Sequence, residues 1–273
     1  MRITGGNDLM GQSAGLFDGH AHVFCTDGPM VPGRRYTPEH AAPLADYCAI
    51  LKRHGVDGAL LVQPSFLGTD NSYLAACLAA VGDHAGLMFK GVAMTDPETS
   101  LEEIDRLDAA GVVGMRLNLI HGELPDLDSV AWRAHLAELA RRGWHIEVQI
   151  EGPRLPGVLA VLKDQASRLV IDHFGLPQAG RIDTCPGYQA LLTTPGDHIY
   201  MKVSAPYRAF PGYQGAELPA QARSATRRLL ERFAPDRLVW GSDWPWTRHE
   251  TGRSFEEALA WRAEWEAVVT DNP

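Results

Sequence analysis

Several features that identify whole classes of protein are scarce or missing in this sequence. Only four of the 273 residues are cysteines and no two form a CxxC pair, which argues against a disulfide scaffold and a zinc ribbon. No stretch approaches the roughly 18 consecutive apolar residues of a membrane-spanning helix. The first 20 residues also lack the apolar segment of a secretory signal. We therefore expect a soluble cytoplasmic protein with reduced thiols.

Positive charge is also in short supply. Lysine and arginine together number 25 against 34 aspartate and glutamate residues, so the formal net charge is −9. Proteins that bind nucleic acid usually show the opposite bias, with basic residues along a stripe, and this sequence has no such stripe. The sequence therefore predicts neither a nucleic-acid partner nor a membrane partner. An anionic small molecule would need a local cluster of arginines.

The sequence does contain a regular alternation of short apolar runs with longer segments of helical period. Because parallel strands need crossover connections, this alternation predicts βαβ units. Eight such units fit a single-domain α/β fold of the (β/α)8 TIM-barrel type, which typically takes about 250 residues; a doubly wound open sheet is the rival. The eight predicted strands are Leu16–Phe24, Gly58–Ser65, Phe89–Thr95, Val112–Leu119, His145–Glu151, Leu169–Gly175, Ile199–Ala205 and Leu238–Pro245.

The segments between these runs carry apolar residues at helical spacing. Leu44, Cys48 and Leu51 lie at i, i+4 and i+7, and Gly55 stands where such a helix should end. No Gly/Ser-rich linker or change of composition divides the chain. We therefore predict one barrel domain over residues 16–273, preceded by a flexible tail over residues 1–15.

Residues with catalytic chemistry stand at the ends of three predicted strands. The first run ends with His20 and His22, the sixth with His173, and the eighth with Asp243. Alternation along a strand places His20 and His22 on the same face. Active sites of (β/α)8 barrels lie at the carboxyl ends of the strands, so three imidazoles and one carboxylate should converge there.

The same segments resemble a known family. FDGHAHVF at residues 17–24, VIDHFG at 170–175 and WGSDWPW at 240–246 are similar to the amidohydrolase superfamily, in its amidohydrolase 2 branch. Within that branch the chain most resembles the 2-pyrone-4,6-dicarboxylate lactonases and related sugar-lactone hydrolases. The segments LLVQPSFLGTDN and KVSAPYR add to this likeness. The resemblance implies a distorted (β/α)8 barrel that hydrolyses a cyclic ester.

The resemblance also implies roles for single residues. His20, His22, His173 and Asp243 match the positions that carry catalysis in the family. The residues that match its substrate-holding positions are Ser65, Arg116, Tyr207 and Arg208. We add Tyr36 as a candidate at the mouth of the site, because the Pro/Gly-rich stretch 25–38 is longer than a usual βα loop.

These residue types suit the chemistry of lactone hydrolysis. Asp243 can act as general base for the attacking water, while the imidazoles either donate hydrogen bonds to the carbonyl oxygen or hold a cation that does so. Arg116 and Arg208 carry permanently charged guanidinium groups, which can donate two parallel hydrogen bonds to a substrate carboxylate. The alternatives are a buried salt bridge for Arg116, a surface charge for Arg208, a turn for Ser65 and simple packing for Tyr36.

The involvement of a metal is left open by the residues themselves. The three histidines and Asp243 are ligand types of a hydrolytic zinc site. Superfamily members that hold zinc firmly usually add a histidine at the end of the fifth strand, where this chain has Gln149 and Glu151. Glutamine is a poor zinc ligand, although Glu151 could substitute. Since the pyrone lactonases work without metal, we expect no cofactor, with zinc or another divalent metal as the alternative.

Departures from the family pattern bear on the substrate. Two further arginines of the dicarboxylate lactonases are replaced around His121 and Leu176, and Gln149 stands where a tyrosine is expected to contact substrate. Each lost charged hydrogen bond costs roughly 1.5–3 kcal/mol. We therefore expect a small lactone with one acidic group, or a hydroxylated sugar lactone. A zinc-dependent decarboxylase and a non-catalytic carbohydrate-binding barrel are the alternatives, and the sequence leaves monomer and dimer open.

Overall fold

A computed structural model of the protein describes residues 15–80 and 86–270. Eight parallel strands are hydrogen-bonded in sequence order into one sheet. The strands are β1 (Phe17–Ala21), β2 (Gly58–Val62), β3 (Met88–Ala93), β4 (Val112–Asn118), β5 (His145–Gln149), β6 (Leu169–Ile171), β7 (Ile199–Ser204) and β8 (Leu238–Gly241).

The helices lie between the strands, as the alternation predicts. None of those within the two described ranges is long and apolar enough to cross a membrane. The α-helices are α1 (Leu44–His54), α2 (Ser72–Ala79), α3 (Leu101–Ala110), α4 (Val130–Arg141), α5 (Leu155–Leu162), α6 (Pro186–Thr193), α7 (Pro206–Ala209), α8 (Glu217–Leu230) and α9 (Phe255–Thr270).

The sheet closes into a barrel through the segment that follows β8. Ala21 forms a parallel bridge with Trp244, and the His22 amide donates to the Trp244 carbonyl at 2.7 Å. The Asp243 amide donates to the His20 carbonyl at 2.8 Å. The predicted (β/α)8 barrel is therefore confirmed, and the open-sheet alternative is wrong.

Helix α1 shows how the local sequence produces these elements. Leu44, Cys48 and Leu51 are buried, as their spacing predicts. The helix ends at Gly55, which adopts the left-handed conformation with φ of 64° and donates its amide to the last turn. Glycine adopts this conformation without the steric cost of a Cβ, so the position acts as a helix stop.

Two differently composed sectors fill the interior of the barrel. Phe17, Leu60, Val62 and Val92, on β1 to β3, form a cluster separate from the main core between strands and helices, and we call them the apolar sector. On β4, β5 and β7 and directly after β6, four inward positions hold charged side chains that are almost completely buried, beside a small apolar cluster of Val170, Tyr200 and Val239. This charged sector consists of Arg116, Glu147, Asp172 and Lys202.

The observed strands stop earlier than predicted at their carboxyl ends. Strand β6 ends at Ile171 and β8 at Gly241, where the predicted runs continue to Gly175 and Pro245. Just beyond these ends His173 and Asp243 have positive φ of 50° and 59°, which breaks the extended backbone. His22, His173 and Asp243 therefore follow their strands, whereas His20 lies within β1. Of the predicted tail, residues 1–14 lie outside the described part of the chain.

Candidate active site

The four catalytic candidates meet at one carboxylate oxygen. Asp243 Oδ1 lies 3.8 Å from His20 Nε2, 3.7 Å from His22 Nε2 and 3.8 Å from His173 Nε2. All four side chains are buried. Asp243 Oδ1 and His20 Nε2 have no hydrogen-bond partner in the structure. The distances exceed a hydrogen bond, so the arrangement leaves several unpaired polar atoms facing one point.

A glycine allows β1 and β8 to approach closely enough for this arrangement. A Cβ at Gly241 would lie 2.6 Å from the Cβ of His20 and 2.9 Å from its backbone nitrogen. Such contacts are too short for any larger residue without displacing β1. The glycine before the Ser242–Asp243 pair thus helps to place His20.

The second oxygen of Asp243 is held by two residues of the segment that follows β7. Tyr207 Oη donates to Asp243 Oδ2 at 2.5 Å, and Arg208 Nε donates to the same oxygen at 2.7 Å. Arg208 Nη2 also donates to the Thr247 carbonyl at 2.7 Å. Sequence reasoning places Tyr207 and Arg208 against substrate, whereas in the structure their polar groups orient Asp243.

These contacts keep Asp243 ionised. Burial by itself would raise the pKa of its carboxyl, but the Arg208 guanidinium and then His173, His22 and His20 hold that pKa well below its usual range. Burial also lowers the pKa of His22 to about 4 and moves that of His173 well below its ordinary value. Near neutral pH the site thus combines a carboxylate with neutral imidazoles at His22 and His173.

The three imidazoles are oriented by different partners on their Nδ1 side. His22 Nδ1 lies 2.7 Å from the Val62 carbonyl, which can only accept, so this nitrogen carries the proton. His173 Nδ1 contacts Ser204 Oγ at 2.8 Å, and a hydroxyl can either donate or accept. His20 Nδ1 lies 2.8 Å from Lys202 Nζ. The three rings are therefore held in different ways.

Part of the charged sector lies beneath His20. Lys202 Nζ is 2.6 Å from Glu147 Oε2, and His145 Nε2 is 3.6 Å from the same carboxylate oxygen. These side chains are fully buried. Sequence reasoning did not include them. The available signal was polar or charged residues at alternate positions, namely His145, Glu147 and Gln149 on β5, and Lys202 two residues after Tyr200 on β7.

Arg116 belongs to the same buried sector. Its Nε donates to Asp172 Oδ2 at 3.1 Å and its Nη2 to Gln149 Oε1 at 2.7 Å. Arg116 and Gln149 both line the cavity. Asp172 points inward like Val170 two residues before it, because its backbone is still extended, whereas a positive φ turns His173 out of this alternation. Asp18 points outward and accepts from Tyr47 Oη at 2.6 Å on the helix side.

We call Asp243 and the three histidines around it, His20, His22 and His173, the Asp243 cluster. A cavity of about 240 Å³ opens above it. Ser65, at the start of a short 3-10 helix, and Tyr36 line it as the sequence predicts. Tyr36 Oη donates to Glu250 Oε1 at 2.5 Å, which ties the 25–38 stretch to the segment after β8. The position of Tyr36 at the mouth of the cavity thus agrees with the prediction.

Two further arginines reach the cavity. Arg35 and Arg248 line its mouth and are exposed, and Arg35 Nη2 donates to Asn118 Oδ1 at 3.1 Å. Burial and the nearby charges of Arg248, Arg116 and Arg208 lower the pKa of Arg35. Four guanidinium groups therefore line one cavity, where the sequence predicts two. The sequence feature that could have indicated additional arginines at the cavity was the adjacent pair Arg34 and Arg35 in the 25–38 stretch.

Glu151 does not take part in this cluster. Its Oε1 accepts from the His121 amide at 2.8 Å, and its Oε2 is 2.9 Å from Arg154 Nη1. It is not among the residues that line the cavity. Glu151 is therefore paired with Arg154 and is not part of either group of possible metal ligands among the described residues.

Two overlapping groups in the described chain have ligand types and spacing that could hold a metal ion. One consists of His20, His22 and Asp243, and the other of His20, Asp172 and His173. Within each group the candidate ligand atoms lie within 4.8 Å of one another. Both carboxylates are already paired with cations, Asp243 with Arg208 and Asp172 with Arg116. A divalent cation would have to compete with these fixed charges.

Known proteins resemble this chain over most of its length. Among curated proteins, the D-galactarolactone isomerase of Agrobacterium fabrum is 30% identical over 85% of this chain and 76% of its own length. The 2-pyrone-4,6-dicarboxylate hydrolase of Comamonas testosteroni is 30% identical over 85% of this chain and 77% of its own length. Both relatives are named for activity on lactones.

A solved structure and a family description agree with these relatives. The crystal structure of a candidate 2-pyrone-4,6-dicarboxylic acid hydrolase from Pseudomonas putida is 38% identical and superposes with a TM-score of 0.82 over 94% of this chain and 91% of that one. A family model described as Amidohydrolase matches residues 17–273, which include every side chain of the Asp243 cluster. The chain therefore belongs to the amidohydrolase family.

Proposed function

We propose that this protein hydrolyses lactones of small acidic molecules, with Asp243 as the general base. The observation that carries the proposal is the unpaired Asp243 Oδ1, which three imidazole Nε2 atoms face from 3.7 to 3.8 Å. Asp243, His22 and His173 line the cavity, and His20 lies buried behind them. A water beside Asp243 Oδ1 would find a hydrogen-bond acceptor. A carbonyl oxygen beside a protonated imidazole Nε2 would find a hydrogen-bond donor. The lactone activities for which the relatives are named support the same reaction.

Each of these atoms has a role in the proposed hydrolysis of the lactone. Asp243 Oδ1 takes a proton from the bound water while the water oxygen forms a bond to the lactone carbonyl carbon. The carbonyl electron pair moves onto oxygen, and an Nε2–H group of His20 or His173 stabilises the oxyanion, since His22 carries its proton on Nδ1. The ring C–O bond then breaks, and the proton held by Asp243 passes to the leaving oxygen. Tyr207 and Arg208 keep the carboxylate aimed throughout.

The arginines indicate an acidic substrate. Arg116 and Arg208 already donate hydrogen bonds to protein carboxylates, Asp172 and Asp243. Their guanidinium groups are therefore largely engaged within the protein. Arg35 and Arg248 stand at the mouth, where a carboxylate of a bound lactone would meet their guanidinium groups. We assign the recognition of substrate charge mainly to these two residues. They compensate for the arginines that the family pattern has elsewhere.

We further propose that the reaction proceeds without a metal. The carboxylates of both candidate metal groups are neutralised by arginine, and Lys202 adds a third positive charge 2.8 Å from His20. These residues therefore fit a divalent cation poorly. Metal analysis of purified protein tests this: stoichiometric zinc that survives dialysis would contradict it and would favour the zinc-dependent decarboxylase.

Replacing Asp243 tests the proposed base. A panel of five- and six-membered lactones, read by proton release, identifies a substrate for the wild-type enzyme. Asp243→Asn should lower kcat on it by about 10²- to 10⁴-fold, because an amide cannot accept the proton from water. Asp164→Asn, at an exposed carboxylate paired with Lys163, is the matched control and should keep full activity. Full activity in Asp243→Asn would refute the mechanism.

Replacing the mouth arginines tests substrate charge. Arg35→Met combined with Arg248→Met should raise KM for an acidic lactone at least about tenfold, since each charged hydrogen bond contributes roughly 1.5–3 kcal/mol. KM for the corresponding neutral ester should change little. Arg53→Met, at an exposed arginine in the last turn of α1, is the control. An unchanged KM for the acidic substrate would contradict the assignment.

A further inference from the structure

His20 and His22 are neighbours in sequence and space, but the groups behind their rings differ in kind. Behind His22 is the Val62 carbonyl, 2.7 Å from Nδ1, and a carbonyl can only accept a hydrogen bond. Behind His20 is Lys202 Nζ, 2.8 Å from Nδ1, and an ammonium group can only donate. A neutral imidazole carries its single proton on the nitrogen that faces an acceptor. The two rings should therefore carry it on opposite nitrogens.

We infer that Lys202 is a positioning residue that fixes His20 as the Nε2–H tautomer, so that His20 donates to the lactone carbonyl oxygen while His22 accepts through its own Nε2. This inference rests on the proposed function for its catalytic meaning. The free Nε2 atoms of both rings face Asp243 Oδ1, at 3.8 and 3.7 Å. One site then offers a donor for the oxyanion beside two acceptors, His22 and Asp243, for the protons of the water.

The charge of Lys202 is secured by its other neighbours. Glu147 Oε2 lies 2.6 Å from Nζ and Asp172 Oδ1 lies 3.6 Å from it, all three side chains being fully buried. The ammonium group thus forms a close ion pair with Glu147 and lies within hydrogen-bond distance of His20 Nδ1. A buried lysine beside a carboxylate stays charged because removing either partner's charge would leave the other unpaired.

Two carboxylates compete for the proton of His20. Glu147 Oε1 is 3.3 Å and Asp172 Oδ1 is 3.5 Å from His20 Nδ1, and a proton on that nitrogen would be attracted to them. Both distances are longer than the 2.8 Å contact with Lys202 Nζ, and neither oxygen of Glu147 has a hydrogen-bond partner among the described residues. Lys202 therefore decides the tautomer, and without Lys202 these carboxylates would draw the proton to Nδ1.

The tautomer can be measured directly by NMR. In full-length protein labelled with ¹⁵N-histidine, long-range ¹H–¹⁵N spectra distinguish protonated from unprotonated ring nitrogens, and His20→Gln assigns the His20 signals. We expect a protonated Nε2 for His20 and a protonated Nδ1 for His22. In Lys202→Met combined with Glu147→Gln, which removes the charge that would otherwise be left unpaired, the His20 proton should move to Nδ1. Glu147→Gln alone keeps Lys202 and should keep the tautomer.

Kinetics supply the second readout. The double variant should lose about 100-fold in kcat, the effect of removing one oxyanion donor, while KM changes much less. Lys202→Arg, which still donates to Nδ1, should recover part of that loss. Lys52→Met, at an exposed lysine in the last turn of α1, controls for loss of charge and should behave as wild type.

The two readouts separate failure of this inference from failure of the proposed function. Wild-type spectra with a protonated Nδ1 or a doubly protonated His20 would overturn the role of Lys202, whatever the activity. A folded double variant with wild-type kcat would overturn it as well. If no lactone is hydrolysed, the proposed function fails, but the tautomer measurement still tests Lys202 because it needs no turnover.

Discussion

The two sectors inside the barrel are equally buried but differ in composition. The apolar sector on β1 to β3 packs Phe17, Leu60, Val62 and Val92 against one another. The charged sector on β4 to β7 buries four ionised side chains in ion pairs. Burying ion pairs is often no more stabilising than packing apolar residues of similar volume. The difference indicates that the charged sector serves the site above it, while the apolar sector supplies stability.

The largest effect is expected from breaking one buried ion pair. Glu147→Leu leaves the Lys202 ammonium without its 2.6 Å partner, which should lower the free energy of unfolding by about 3–5 kcal/mol. Urea denaturation followed by circular dichroism measures the change.

A double variant sharpens this result. Glu147→Leu with Lys202→Met replaces the pair by apolar side chains and should recover most of the lost stability, because no charge is left unpaired. We expect this variant to be stable but nearly inactive, in keeping with the role inferred for Lys202. A double variant that is no more stable than Glu147→Leu would show that the charged sector is itself needed for folding.

In the apolar sector the relation between stability and activity should be reversed. Leu60→Ala removes a completely buried side chain and should lower the free energy of unfolding by about 2–5 kcal/mol. The activity of the molecules that remain folded should be unchanged, because Leu60 lies outside the Asp243 cluster. Leu101→Ala, at a leucine that is 62% exposed, is the control and should cost little. A selective loss of kcat in Leu60→Ala would remove the functional distinction between the sectors.

The smallest effect is a dependence of stability on pH that arises from His145, a buried histidine beside Glu147 of the charged sector. Burial lowers the pKa of His145, which therefore stays neutral in the folded protein while an unfolded chain protonates it below about pH 6.5. The unfolded state then binds more protons, so stability falls as the pH falls. The loss is at most about 1.4 kcal/mol per pH unit.

His145→Gln isolates this contribution. Its unfolding free energy, measured by denaturant titration between pH 7 and 5.5, should decline less steeply than that of the wild type. Equal slopes would mean that His145 is protonated in the folded state, or that other buried histidines account for the whole effect.

The sequence allowed the fold and the centre of the site to be predicted for identifiable reasons. Strand–helix alternation is a local pattern, and the carboxyl ends of parallel strands must meet at one end of a barrel. His20, His22, His173 and Asp243 could therefore be brought together without coordinates. The inward orientation of Asp172 beside His173 could not be predicted, because it depends on the positive φ with which His173 departs from the alternation of β6.

The interactions of other residues could not be predicted because their partners are far away in sequence. Arg208 lines the cavity, where it was expected to bind substrate, and it also donates to Asp243, which lies 35 positions later. Lys202 and His20 are 182 positions apart, and no local pattern joins them. The arginine cluster was likewise assembled from four separate segments, so counting family positions predicted only half of it.

The sequence by itself determined a single acidic (β/α)8 barrel and the residue types at its strand ends, because periodicity and strand-end position are properties of nearby residues. Only the tertiary structure decided which atoms remain free to react. Closure of the barrel pairs Arg208 with Asp243 Oδ2 and leaves Oδ1 unpaired, and it places Lys202 behind one histidine and a carbonyl behind the other. Hydrogen-bond partners define the protonation of a ring, and these partners come from distant parts of the chain.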